Sequence, residues 1–106
     1  MPYFALTYDV VDNFTERRTP YRPAHLQEVR AAHARGDLVM AGALGEPSGA
    51  LLIFRGADRS VAETFAKNDP YVHEGLVKQW TVRPWTVVVG QDPAETPPGL
   101  PGSSRP

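Results

Sequence analysis

With 106 residues, 11 Lys plus Arg against 12 Asp plus Glu and no cysteine, the chain has material for one hydrophobic core and not for two. The basic residues are scattered, which argues against a nucleic-acid surface. The missing thiols exclude disulfides, thiolate metal sites and a cysteine nucleophile, and fit a reducing, cytoplasmic setting. No basic and then apolar leader opens the sequence. Apolar runs such as residues 50–54 and 87–89 fall far short of the roughly 20 residues that cross a bilayer, so a soluble protein is expected.

Residues 3–11 carry aromatic and β-branched side chains and break at Asp12-Asn13, which predicts a first strand. A polar connection, 15–18, follows. Thr19-Pro20 then offers an N-cap and a first-turn proline, so a helix starts between Pro20 and Pro23. Leu26, Val29, Ala32 and His33 recur at helical spacing, with Gln27, Glu28, Arg30 and Arg35 outward, until Gly36 stops the helix. Residues 38–44 and 50–55 read as paired strands joined across Gly45-Glu46-Pro47-Ser48-Gly49. Ser60 and Glu63 have capping-box spacing, and Val61, Ala62, Phe65 and Ala66 form the inner stripe of a second helix that stops at Asn68 or Asp69, before Pro70. After a turn through 71–75, residues 79–89 predict a last strand in which Pro84 is tolerated only at an edge or bulge.

This order, β-α-β-β-α-β, is the split arrangement of a ferredoxin-like α+β fold, a four-stranded antiparallel sheet with both helices on one face. Phe4, Tyr8, Trp80 and Trp85 all lie on strands, so alternation sends large apolar groups to the uncovered face, and a homodimer through that face is expected. Beyond Gly90 the chain carries Pro93, Pro97, Pro98, Pro101 and Pro106 with a single large aliphatic residue, Leu100. Residues 1–90 therefore read as the domain and 91–106 as a disordered tail.

Two polar residues stand where a helical scaffold has no need of them. His25 sits one turn before Val29, at the margin of the buried face; it is either a half-buried histidine bonded to backbone or a proton-transfer group. Asp69 closes the second helix, where the dipole disfavours an anion by roughly 0.3–1 kcal/mol. An Asx-type turn over Pro70 would compensate, and so would a histidine partner. Both helices lie on one sheet face, so the two residues can meet; the carboxylate would then orient the imidazole and fix its tautomer.

The segments Arg22-Pro23-Ala24-His25-Leu26, Ala41-Gly42, Asp69-Pro70-Tyr71-Val72 with Gly75, and Arg83-Pro84-Trp85 resemble those of the YciI-like (YCII-related) family over residues 3–89. The resemblance implies a dimeric α/β barrel and an active site centred on His25 and Asp69, with Arg22 and Tyr71 as substrate-binding neighbours. It also implies a range of chemistries, from dehydrochlorination of a chlorinated hydroxyquinol to lactone isomerisation, oxygenation and cyclisation. The chain departs from the family pattern at Ala43, where proline is common, and in its short connection between strands two and three.

Other residues lead elsewhere. His33 does not align with His25 on one helix face and no H-E-x-x-H accompanies either, so no metal is expected. Gly42 and Gly45 precede no helix and cannot cradle a phosphate, so no nucleotide cofactor is implied. Ser48 and Ser60 have turn and cap roles outside any G-x-S-x-G elbow. His73-Glu74 reads as a solvated loop or a pocket mouth. The function these residues predict is a small cofactor-independent acid/base enzyme, of lyase, isomerase or cyclase type, acting on a compact cyclic or aromatic metabolite. The alternatives are a non-catalytic small-molecule-binding module with the same pocket, and a purely structural His-Asp pair tying two helices together.

Overall fold

The computed structural model describes residues 1–90; the expected tail, 91–106, lies outside the described residues. Strands β1 (Tyr3–Val10), β2 (Leu38–Leu44), β3 (Gly49–Arg55) and β4 (Val77–Trp85) form one antiparallel sheet in the order β2-β3-β1-β4. Helices α1 (Phe14–Arg17), α2 (Arg22–Ala34), α3 (Ser60–Asn68) and α4 (Pro70–His73) fill the connections, with a single 3-10 turn at Thr19–Tyr21. The split β-α-β-β-α-β topology expected from the sequence is present.

Strand alternation divides the sheet into two chemically different faces. Phe4, Leu6, Tyr8 and Val10 point to the helical side; the first three pair across β3 with Phe54, Leu52 and Ala50, and across β4 with Pro84, Val82 and Trp80. Ala32 of α2, Ala62, Phe65 and Ala66 of α3, and Phe14, Tyr71 and Leu76 close the same core. Wholly buried side chains such as Leu6 and Phe54 each contribute about 2 kcal/mol by leaving water. Of Phe4, Tyr8, Trp80 and Trp85, only Trp85 turns to the other face, where its ring meets that of Tyr3 edge-on at 6.4 Å; Met40 and Leu44 share that face and are 64% and 44% exposed, against 46% for Trp85.

Local chemistry moves several boundaries. Phe14 is buried and nucleates a four-residue helix inside the expected polar connection. The α2 helix begins at Arg22 with Pro23 in its first turn, and no side chain caps it. It ends as expected at Gly36, whose N–H and that of Asp37 return to the carbonyls of His33 and Ala32. Ser60 is not the cap of α3: Asp58 lies two residues ahead, and its Oδ1 accepts from the Ser60 N–H at 2.8 Å. The last strand runs Val77–Trp85 rather than 79–89 because Trp85 pairs with Tyr3, the first residue of β1, and the partner ladder ends there. Pro84 sits in β4, an edge strand, where its missing N–H leaves no inner ladder bond unmade.

Candidate active site

Asp69 explains itself once the backbone is traced. It ends α3 in an extended conformation and at the same time N-caps α4, its Oδ1 accepting from the Tyr71 N–H at 3.0 Å. An anion that is unfavourable at one helix end is thereby placed at the start of another. The same Oδ1 receives His25 Nδ1 at 2.8 Å, and Oδ2 receives the Tyr8 hydroxyl at 2.6 Å. With 0% exposure, this carboxylate would be very costly without partners; three donors, from α2, β1 and α4, supply them. The Asx-type turn and the histidine partner, read as alternatives in the sequence, coexist.

The histidine is held as closely. Its ring lies on that of Tyr71, centroids 3.8 Å apart and planes 11° off parallel, and Tyr71 is braced edge-on by Phe14 at 5.3 Å. With Asp69 acting as acceptor, Nδ1 carries the hydrogen in the neutral ring, which leaves Nε2 with a free lone pair. The side chain is 14% exposed. It lines a cavity of about 230 Å³ between α2 and the β2–β3 edge, walled by Leu26, Val29, Leu52, Ala50 and the Ala41-Gly42-Ala43 stretch. The small side chains at 41–43 keep this wall open, and Ala43, the departure from the family's proline, is part of it. Gly49 lines it too: a Cβ there would stand 2.5 Å from the Tyr8 carbonyl oxygen, so only glycine lets β3 approach β1 so closely beside the Tyr8–Asp69 bond.

The polar contribution to the cavity is cationic. Arg18 and Arg22 line it, and Arg18 is steadied over the Phe14 ring at 5.3 Å. Burial pushes the Tyr71 hydroxyl above the usual tyrosine range, while Arg22 and Arg18 favour its ionised form and partly offset that shift. No hydrogen bond of normal geometry joins Tyr71 Oη to Arg22, and the hydroxyl is buried without a partner. Burial, followed by the Asp69 charge and the hydrogen bond to it, raises the Tyr8 hydroxyl far above its ordinary value, so Tyr8 is a fixed donor. His33 and His73 do not line this cavity. Among the described residues no three His, Asp or Glu side chains converge as a metal site would.

The four residues singled out in the sequence, His25, Asp69, Arg22 and Tyr71, thus meet around one carboxylate and one cavity. The YCII-related domain family matches residues 1–86. The chain belongs to that family. Two curated members, the proteins YciI of Escherichia coli O6:H1 (strain CFT073) and of Shigella flexneri, are each 30% identical over 98 residues, covering 83% of this chain and 99% of theirs. Among solved structures, 5-chloro-2-hydroxyhydroquinone dehydrochlorinase from Burkholderia phenoliruptrix AC1100, in complex with 2,5-dihydroxybenzoquinone, superposes with a TM-score of 0.68 at 22% identity, over 79% of this chain and 93% of that one. This likeness establishes a shared YCII-type fold.

Sequence reasoning missed Tyr8, Phe14 and Arg18. Tyr8 was the most accessible of these: it shares inward parity with Phe4 and Leu6, and a phenol on a core face needs a hydrogen-bond partner. Phe14 and Arg18 belong to short turns with no periodicity to read.

Proposed function

We propose that this YCII-family domain is a small acid/base enzyme in which His25 Nε2 accepts a proton from, and returns it to, a compact cyclic or aromatic ligand bound in the cavity. The observation that carries the reading is the buried carboxylate of Asp69 on His25 Nδ1, which leaves Nε2 as the reactive nitrogen beside an apolar chamber. Asp69 is a positioning residue: it sets the tautomer and stabilises the imidazolium formed when the proton arrives. Arg22, with Tyr71, is proposed to hold the ring oxygen on which negative charge grows. Removing a proton from a ring O–H or an acidic C–H passes its electron pair into the conjugated system. Where the proton is returned to a ring carbon that bears halide, loss of a second hydroxyl proton expels the halide as the anion and leaves a quinone; a ring without a leaving group is reprotonated elsewhere and isomerises. Binding of 2,5-dihydroxybenzoquinone by the structural neighbour supports a flat, oxygenated ring as the ligand class.

The test is to incubate the protein with chlorinated and chlorine-free hydroxylated benzenes, following chloride release and ring absorbance. Turnover that is lost in folded His25→Ala and Asp69→Asn supports the enzyme; turnover undiminished in both removes it. Saturable binding of 2,5-dihydroxybenzoquinone without product would favour the second reading, a non-catalytic binding module, for which the full engagement of Asp69 in structural hydrogen bonds speaks. We further propose that Met40, Leu44 and Trp85 on the open sheet face form a homodimer interface, and that residues 91–106 are a tail dispensable for the domain.

A further inference from the structure

Beside the cavity runs a second depression of about 520 Å³, lined by Thr15, Arg18, Thr19, Arg22, Leu26 and Arg30 among others. It shares Arg18, Arg22 and Leu26 with the inner cavity, so the two are continuous at those side chains. Arg22, Leu26 and Arg30 are spaced i, i+4, i+8 on α2 and follow one side of the helix over about 12 Å. No carboxylate lines this groove. Arg18, Arg22 and Arg30 form no ion pair among the described residues, whereas Arg35 and Arg59 are each paired with a carboxylate at 3.1 Å. Three unneutralised guanidinium groups line one groove, and an anion laid along it relieves their mutual repulsion. At the inner end, the buried Tyr71 hydroxyl is without a hydrogen-bond partner.

We propose that the ligand is an aromatic or cyclic acid: its ring oxygen meets Tyr71 and Arg22 in the cavity, and a carboxylate on a short arm passes Leu26 into the groove, where Arg18 and Arg30 bind it. This rests on the inner cavity being the ligand site and adds the second charge that selects the substrate. Arg30 determines specificity without touching the reacting end, because it lines the groove and not the cavity.

The experiment compares, by calorimetry under anaerobic conditions, 2,5-dihydroxyphenylacetate with its methyl ester, which has the same ring and a neutral arm, and uses 2,5-dihydroxybenzoquinone as a ring without an arm. The acid binds the wild-type protein about two- to fivefold more tightly than the ester, as expected for an accessible guanidinium–carboxylate pair. Arg30→Gln lowers that preference, Arg18 retaining the rest, while leaving the ester's affinity unchanged. Equal affinities for acid and ester, or a preference undiminished in Arg30→Gln, overturn the groove proposal. If the quinone alone binds, the groove falls and the inner site stands; if none of the three binds, both fall.

Discussion

Tyr8 Oη donates to Asp69 Oδ2 at 2.6 Å, on the carboxylate oxygen opposite to the one His25 engages. The strand thereby holds one side of the anion while the helix uses the other. Tyr8→Phe removes a hydrogen bond to a buried charge and should lower stability by about 2 kcal/mol. The pH dependence has a definite sign. The hydroxyl's folded value lies above its ordinary 10.0, so its contribution is complete below pH 10 and is lost as the pH rises beyond it. Alkaline unfolding of the wild-type protein, followed by circular dichroism, should therefore steepen above pH 10, and Tyr8→Phe should flatten that limb.

Asp69→Asn and Asp69→Ala separate charge from capping. Asparagine keeps the shape and an acceptor for the Tyr71 N–H, yet weakens the hydrogen bonds that Tyr8 and His25 donate to the charge, at a cost of about 3 kcal/mol. Alanine loses the cap of α4 as well, about 1 kcal/mol more. Denaturant midpoints at constant slope measure the difference. Equal stability of the two variants would mean that the Tyr71 N–H contact contributes nothing.

The legible and illegible parts of the sequence divide along physical lines. The strands and α2 announced themselves because a two-residue or a 3.6-residue period, closed by Gly36, runs long enough to be seen. The helices α1 and α4 are four residues each, too short for any period, and they exist because Phe14 and Tyr71 are buried. Asp69 stood out correctly as an anion at a helix end, but its role as the cap of α4 depended on a helix that no pattern revealed. The S-x-x-E reading of Ser60 failed because Asp58, two residues ahead, reaches the same N–H group. The extent of β4 depended on where its partner β1 begins, which is tertiary information.

Asp58 gives a prediction from that correction. Its hydrogen bonds with Ser60 hold its carboxyl below the usual range of 3.8, so its stabilisation is present above that value and disappears as the pH falls through the lowered one. Asp58→Ala should melt earlier than the wild-type protein at neutral pH, with the gap closing in acid. Ser60→Ala, which loses the hydroxyl and keeps the backbone N–H, should remove only part of that pH dependence.

The exposed Met40 and Trp85 side chains on the open face lead to a prediction about assembly. Met40→Lys combined with Trp85→Lys should convert a dimer to a monomer in sedimentation velocity without unfolding it, because a charge on that face cannot be desolvated without a partner. An unchanged sedimentation coefficient would remove the proposed interface.

The central claim is that Asp69 fixes the His25 ring with its hydrogen on Nδ1 and its lone pair on Nε2. Nitrogen-15 correlation spectra of the three histidines, assigned with His25→Gln and recorded where the rings are neutral, read this directly. The account predicts a protonated Nδ1 and an unprotonated Nε2 at His25, reverting toward the ordinary tautomer mixture in Asp69→Asn. A wild-type His25 with its hydrogen on Nε2 would contradict it.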